Sequence, residues 1–125
     1  MTRVVLACAA ALLFTGAVSA HHSYTAFDRE TAVTLTGTIH RIAIRNPHTV
    51  IEVDAADSQR YRVEWGSVSN LASWGFDEKS LRTGDRVVII GYVMRDKAQR
   101  TMSLVQMVRR VSDGWQWGQP PAATP

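Results

Sequence analysis

A period-two alternation of apolar and polar residues runs through most of the chain after residue 33. In the segment TVIEVDA, Ile51 and Val53 fall on one face of an extended chain, whereas Glu52 and Asp54 fall on the other. The segment RYRVEW that follows shows the same alternation. Since successive side chains of a β-strand point to opposite faces of the sheet, this pattern predicts half-buried strands rather than helices.

Three further stretches complete a set of five predicted strands. The first strand, about residues 33–45, is apolar at alternate positions in its first half and then shifts phase by one residue. Such a shift moves the apolar side chains to the other face, so we expect a bulge or bend between residues 37 and 41. VVIIGYVM at residues 87–94 is an almost continuous apolar run, typical of the most buried strand, and residues 101–111 form the last strand.

One short helix is predicted between the third and fourth strands. Over residues 67–75, a serine can cap the first turn, apolar residues recur every three positions, and a glycine can end the helix. The order of three strands, a short helix and two strands is that of the OB-fold, a five-stranded Greek-key barrel. We therefore predict an all-β domain with one short helix, an OB-like barrel over residues 33–112. Another small barrel or sandwich is the alternative.

The start of the chain departs from this pattern. Residues 1–20 combine a basic residue, an apolar run and small residues at the end, the order of a secretory signal peptide cleaved after Ala20. We therefore expect a periplasmic or secreted protein in which an amino-terminal segment, residues 21–32, precedes the barrel. No other apolar stretch in the sequence is long enough to span a bilayer.

The end of the chain is predicted to be a flexible tail over residues 113–125, which hold three of the four prolines. Trp115 and Trp117 alternate just before these prolines. The two rings can either cover one end of the barrel or mark an adhesive patch on the surface.

Composition excludes several kinds of function. The single cysteine, Cys8, lies in the signal peptide, so the exported chain can use neither disulfides nor cysteine-ligated metals. Without that peptide, thirteen basic and eleven acidic residues remain, a balance too mild to indicate nucleic-acid binding. The sequence has no serine-hydrolase, zinc-protease, phosphate-loop or dinucleotide motif. We therefore predict a protein that is not an enzyme.

Four short motifs resemble a known protein family. They are H-H-S directly after the signal peptide, VTLTGTI at residues 33–39, N-P-H at residues 46–48 and LRTGDRV at residues 81–87. Together they resemble a family of small secreted bacterial proteins that is known only as a domain of unknown function. The resemblance covers nearly the whole exported chain, although Tyr24 stands where members usually have Phe. It implies an OB-like barrel and an exported protein, and it implies no activity.

Histidine provides the candidate metal chemistry. Cleavage after Ala20 would make His21 the first residue, so that its α-amine and its imidazole Nδ1 can close one chelate ring on a metal ion. A nitrogen-rich site of tetragonal shape favours Cu(II), with zinc as the competitor. His48, in the loop after the first strand, is the preferred third ligand and His22 an additional candidate, whereas His40 is expected to be an ordinary barrel side chain. The alternative is that the two leading histidines lie in a mobile tail and bind nothing.

A second set of residues is predicted to form the rim of a binding surface. Asn46 and Pro47 lie in the first loop, which forms part of the binding rim in OB-folds, and Arg95, Lys97 and Arg100 lie between the last two strands. Two functions therefore remain open. One is a small exported protein that binds copper through its leading histidine, and the other is a metal-free interaction module for an envelope protein or ligand.

Overall fold

Six strands, one α-helix and two short 3-10 helices make up residues 24–122, the part of the chain that the computed structural model describes. The strands are β1 (Val33–Ala43), β2 (Val50–Ala55), β3 (Arg60–Glu64), β4 (Arg86–Val93), β5 (Thr101–Arg110) and β6 (Gln116–Gly118). Helix α1 (Val68–Ser73) lies between β3 and β4, and the 3-10 helices span Tyr24–Ala26 and Lys97–Gln99. No helix in this part of the chain has the length and apolar character needed to cross a membrane.

The first five strands close into a barrel. Their order in the sheet is β3-β2-β1-β4-β5, with β6 added outside β5, and neighbours in this order are antiparallel. β3 also pairs in parallel with β5, through Arg62 opposite Thr101 and Val63 opposite Met102, which joins the two edges of the sheet. This closure confirms the predicted OB-like barrel, mostly β with one short helix between the third and fourth strands.

β1 is the long strand at which the sheet bends. Its first half pairs with β4 and its second half pairs with β2. Gly37 lies where these two pairings overlap and is paired with a residue of each strand. A Cβ atom at Gly37 would collide with the carbonyl oxygen of Asp54, so only glycine fits at this crossing. The register with β2 shifts between Ile39 and Arg41, which is the bulge expected from the phase change in the sequence.

Inward-facing residues of all five barrel strands form one apolar core, which residues after β3 and around α1 complete. The nearly buried members are Leu35, Ile39, Ile51, Val53, Val63, Trp65, Leu71, Phe76, Leu81, Val87, Ile89, Val93, Met102 and Val108. β4, the continuous apolar run in the sequence, has no exposed position after Arg86. Burial of this apolar surface is the main contribution that holds the barrel together.

The described part of the amino-terminal segment docks on the barrel beside the end of β4. Phe27 forms a β-bridge with Met94, and its side chain is 1% exposed. Two backbone hydrogen bonds of 2.9 Å flank this bridge. Asp28 N–H donates to Val93 O, and Arg95 N–H donates to Ala26 O. Residues 24–28 therefore belong to the same folded unit as the barrel.

β6 differs from the sequence prediction, which placed residues 113–125 in a flexible tail. The strand pairs with β5, and the turn before it is held by Arg110, which donates two hydrogen bonds of 2.7 and 2.9 Å to the carboxylate of Asp113. Trp117 packs edge-on against the buried Trp65, with 5.0 Å between ring centroids. The free energy gained by burying the rings of Trp65 and Trp117 outweighs the conformational entropy lost when this short segment becomes ordered. The sequence of three residues before a proline run does not reveal this ring contact.

Candidate functional site

The two ends of the barrel are built differently. Because β1, β3 and β5 run in one direction and β2 and β4 in the other, the chain leaves β3 and enters β4 at the same end. Helix α1 connects these two strands there, and its Leu71 is buried in the core with Phe76 and Leu81 from the segment that follows. We refer to this end as the plugged end, and to the end where β1, β3 and β5 begin as the open end.

Aromatic rings complete the plug. Trp65 lies edge-on to Phe76 at 4.9 Å and to Trp117 at 5.0 Å between ring centroids. Trp74 tilts against Trp117 at 4.9 Å, and Trp115 lies 6.1 Å from Phe76. The sequence left two placements open for Trp115 and Trp117. In the structure, the two rings cover one end of the barrel.

A cavity of about 290 Å³ opens beside the plug, and we refer to it as the histidine cavity. It lies between the loop after β1, the end of β3, α1, the middle of β5 and the first 3-10 helix. Its lining residues are Tyr24, Pro47, His48, Glu64, Trp65, Gly66, Ser67, Asn70, Trp74, Ser103, Leu104 and Val105. The cavity therefore combines the imidazole of His48 and the carboxylate of Glu64 with aromatic, aliphatic and small polar side chains.

Hydrogen bonds on both sides of His48 fix the loop that carries it. Asn46 Oδ1 accepts from the N–H of Val68, the first residue of α1, at 3.1 Å. On the other side, the Thr49 N–H donates to the carbonyl of Gly66 at 2.9 Å. The backbone at His48 is therefore held at a defined position relative to α1 and to the end of β3.

Two features of the cavity wall are unusual. Within the described residues, neither Trp65 Nε1 nor the hydroxyl of the neighbouring Thr49 has a hydrogen-bond partner, although both atoms are buried. Buried polar groups are normally paired, so these two atoms are exceptions within the described part of the chain. Leu104 adopts φ = 50° where β5 bulges away from β4, a conformation that is rare for a branched aliphatic residue and that clusters at functional sites.

The predicted metal ligands are distributed as follows. His48 lines the histidine cavity, whereas His40 lies on β1 with its Nδ1 3.6 Å from a carboxylate oxygen of Asp54 and does not line this cavity. His21 and His22 lie outside the described residues. Residues 24–122 by themselves contain no group of three or more His, Cys, Asp or Glu side chains that could hold a metal ion. A metal site at His48 therefore needs donors from the segment before Tyr24.

The five residues predicted to form a rim lie at two different places. Pro47 lines the histidine cavity, and Asn46, joined to it by a cis peptide bond, anchors the loop. Lys97 and Arg100 line a separate depression at the open end of the barrel. Arg95 donates through Nε to a backbone carbonyl of the amino-terminal segment at 3.4 Å, so it anchors that segment.

Charged residues on the outer face of β2 and β3 pair with one another. Arg60 donates two hydrogen bonds to Asp54, at 2.7 and 3.2 Å, and this interaction lowers the pKa of the Asp54 carboxyl from its ordinary 3.8. Arg62 donates to Glu64 at 3.1 Å. Pairing on the sheet surface accounts for these charges.

Some lining residues of the histidine cavity were not predicted from the sequence. Tyr24 lines the cavity although its segment docks beside the end of β4, and Leu104 lines it where the backbone of β5 has a positive φ. Neither feature has a local sequence signal, since leucine is not a residue that favours positive φ. Trp74, directly after α1, is 44% exposed beside the cavity, and the recurrence of apolar residues over residues 67–75 was the available signal.

Fold and geometry define a small OB-like barrel with one aromatic-plugged end and one open end. The chain belongs to a protein family of unknown function, DUF6152, whose sequence model matches residues 8–103, which confirms the resemblance noted in the motifs. Its fold is similar to that of a chain in the crystal structure of the S. pombe Stn1-ten1 complex, with a TM-score of 0.52 at 20% sequence identity. The match covers 66% of this chain and 59% of that chain, and a likeness at this identity concerns the fold alone. No curated protein matches the sequence.

Proposed function

We propose that this protein is a periplasmic or secreted copper-binding protein that holds Cu(II) between its leading histidine, His21, and His48. The observation that carries the proposal is that Tyr24 and His48 line the same cavity. Tyr24 lies three positions after His21, a length of chain that reaches at most about 10 Å when extended. The amino end of the exported chain would therefore start close to the imidazole of His48.

The chemistry of the donors suits copper. Cleavage after Ala20 would free the α-amine of His21, which forms a chelate ring with the imidazole of the same residue, and His48 adds a third nitrogen. Amine and imidazole groups lose their protons near neutral pH, with ordinary pKa values of about 8 and 6.5 respectively. Nitrogen-rich, tetragonal sites favour Cu(II), which also has the highest affinity among the divalent metals of its series. His22 is a further donor if the backbone turns toward the cavity.

The frame around His48 supports a binding role in carrying or buffering the ion. The loop is tied to α1 through Asn46 and to the end of β3 through Thr49, so one ligand is already in place before metal binds. A preorganised ligand costs less conformational entropy on binding than a mobile one.

The amino terminus gives the sharpest test. Mass spectrometry of the exported protein establishes whether His21 is the first residue, and Cu(II) titration then compares this form with one whose α-amine is acetylated. Acetylation removes the amine donor, and with it the six-membered chelate ring of amine and Nδ1, so we expect affinity to fall about tenfold or more. Affinity should also fall as pH decreases from 8 to 6, because protons compete for both nitrogens.

Variants at the two described histidines provide the matched comparison. His48→Ala should weaken Cu(II) binding about tenfold or more, whereas His40→Ala, which removes a histidine from the outer face of β1, should leave it unchanged. An exported chain that begins at another residue would overturn the proposal, as would equal affinity for the natural and acetylated forms. Equal effects of the two histidine variants would remove His48 from the site.

A further inference from the structure

An open apolar depression of about 550 Å³ occupies the end of the barrel opposite the plug, and we refer to it as the barrel mouth. All five barrel strands contribute the ends that lie on this side: β1, β3 and β5 where they begin, and β2 and β4 where they finish. Leu35, Val93 and Met102 are nearly buried members of its lining, and Val33 and Tyr61 are partly exposed to it.

The barrel mouth has the size and chemistry of a small-molecule site. Such sites usually measure about 300–1,000 Å³, are mostly apolar with a few polar groups, and occur in the mouths of β-barrels. At the plugged end, α1 and several aromatic rings cover the core, whereas in the described chain the open end has no α-helix and no cluster of aromatic rings, only the short 3-10 helix Lys97–Gln99 at its rim. An apolar ligand would therefore remove from water the side chains that the fold leaves uncovered.

The lining favours an aliphatic ligand over an aromatic one. Among the lining residues, Tyr61 is the one aromatic side chain, and the apolar remainder is Val, Leu, Ala and Met. Planar ligands are usually recognised by stacking between rings, which this lining does not provide. Methionine side chains such as Met94 and Met102 adapt to flexible alkyl chains.

Two cations lie on one side of the barrel mouth. Lys97 Nζ is 3.8 Å from a carboxylate oxygen of Asp28, and Arg100 forms no ion pair within residues 24–122. The backbone of Arg100 is fixed at φ = 46°, with its N–H donating to Lys97 O at 3.2 Å and its carbonyl accepting from Arg62 N–H at 2.9 Å. The backbone that carries the Arg100 side chain is therefore held at a defined position on the rim.

One carboxylate, that of Asp57, also lines the barrel mouth. Asp57 accepts hydrogen bonds from the Gln59 N–H at 2.9 Å and from the Tyr61 hydroxyl at 3.5 Å. These bonds hold it in the turn between β2 and β3. The two cations outnumber this carboxylate in the lining, so the charge of the rim favours an anionic ligand.

We propose that the barrel mouth binds a medium-chain fatty carboxylate, with the alkyl chain in the depression and the carboxylate on Arg100 and Lys97. An ionised carboxylate matches the forked N–H donors of an arginine, which makes Arg100 the principal contact. The proposal goes beyond copper binding and does not depend on it, because no histidine lines the barrel mouth.

The test is a calorimetric titration of the exported protein, in chelator and below the micelle concentration, with hexanoate, octanoate and decanoate. Each methylene that enters the depression should strengthen binding about fourfold, the gain expected for burying one such group. Decanol, which has the same chain without the charge, should bind about threefold or more weakly than decanoate. Amide chemical shifts should change at Val33, Val93 and Met102.

Charge variants separate the carboxylate contact from nonspecific attraction. Arg100→Glu should weaken decanoate about tenfold while leaving decanol unchanged, and Arg82→Glu, which makes the same change in net charge near the plugged end, should alter neither. The proposal is overturned by absence of decanoate binding, by affinity that ignores chain length, or by equal effects of the two variants. Shifts confined to the histidine cavity would overturn it as well.

Discussion

Trp117 offers the most direct test of how the plugged end is held together. Its ring lies on β6 between Trp65, at 5.0 Å and 71°, and Trp74, at 4.9 Å and 37°. Replacement by alanine removes both ring contacts and exposes the indole of Trp65, which is otherwise buried. Because β6 pairs with β5 through three residue positions only, we expect the strand to detach once this ring is lost.

The magnitude follows from the two ring pairs and the buried area. Each favourable aromatic pair contributes about 0.5–1.5 kcal/mol beyond its area, so two pairs contribute about 1–3 kcal/mol. A fully buried tryptophan costs about 3–5 kcal/mol when truncated to alanine, and Trp117 is only partly buried. We therefore expect Trp117→Ala to reduce the free energy of unfolding by about 3 kcal/mol.

Urea denaturation followed by far-UV circular dichroism measures this change without relying on tryptophan fluorescence. With a urea m-value of about 1.5 kcal/mol/M, the midpoint should fall by about 2 M. Trp74→Ala is the matched control, because Trp74 is 44% exposed and loses one ring pair, so it should cost about 1 kcal/mol. If the two variants are equally stable, Trp117 does not close the barrel end and the reasoning fails.

Three further changes test the fold. Gly37→Ala should cost about 1–3 kcal/mol in urea denaturation, since the new methyl group meets backbone atoms of the neighbouring strand; a neutral result would contradict the close crossing. Ile51→Ala, at a fully buried position, should cost about 2–5 kcal/mol by the same assay, against less than about 0.5 kcal/mol for Val111→Ala, which is 46% exposed. The Arg110 guanidinium lowers the pKa of Asp113 from 3.8 to about 2, so this carboxylate stabilises the fold above pH 4 and ceases to do so as pH falls through 2. Asp113→Asn should therefore be less stable than the natural protein at pH 7 and equal to it near pH 2, and a gap that persists in acid would contradict the assignment.

The strands that the sequence predicts are those whose signal is local. Alternation along β2 and β3 reflects burial on one face, and the phase change in β1 appears in the structure as the register shift between Ile39 and Arg41. Each of these features is determined by side chains within a few positions of one another. A period-two pattern therefore suffices to identify them.

The elements that the sequence did not predict depend on distant contacts. β6 has three residues, too few for a periodic signal. It is held by a ring contact between Trp117 and Trp65, which are far apart in the sequence. The docking of Phe27 beside Met94 likewise joins segments far apart in sequence. Residues of this kind are identified only once the partner surface is known, because their own composition matches that of a tail.

The predicted binding rim divides into two sites because of strand direction. β1 ends at the plugged end and β4 ends at the open end, so the loop with Pro47 and the loop with Lys97 and Arg100 are separated by the length of the barrel. The two depressions themselves lie closer together, because the adjacent residues Met102 and Ser103 of β5 line the barrel mouth and the histidine cavity respectively. Successive side chains of a strand point to opposite faces of the sheet, so the two depressions use opposite faces of β5. The proposed copper site and the proposed carboxylate site are therefore separate, and each is tested by its own measurements.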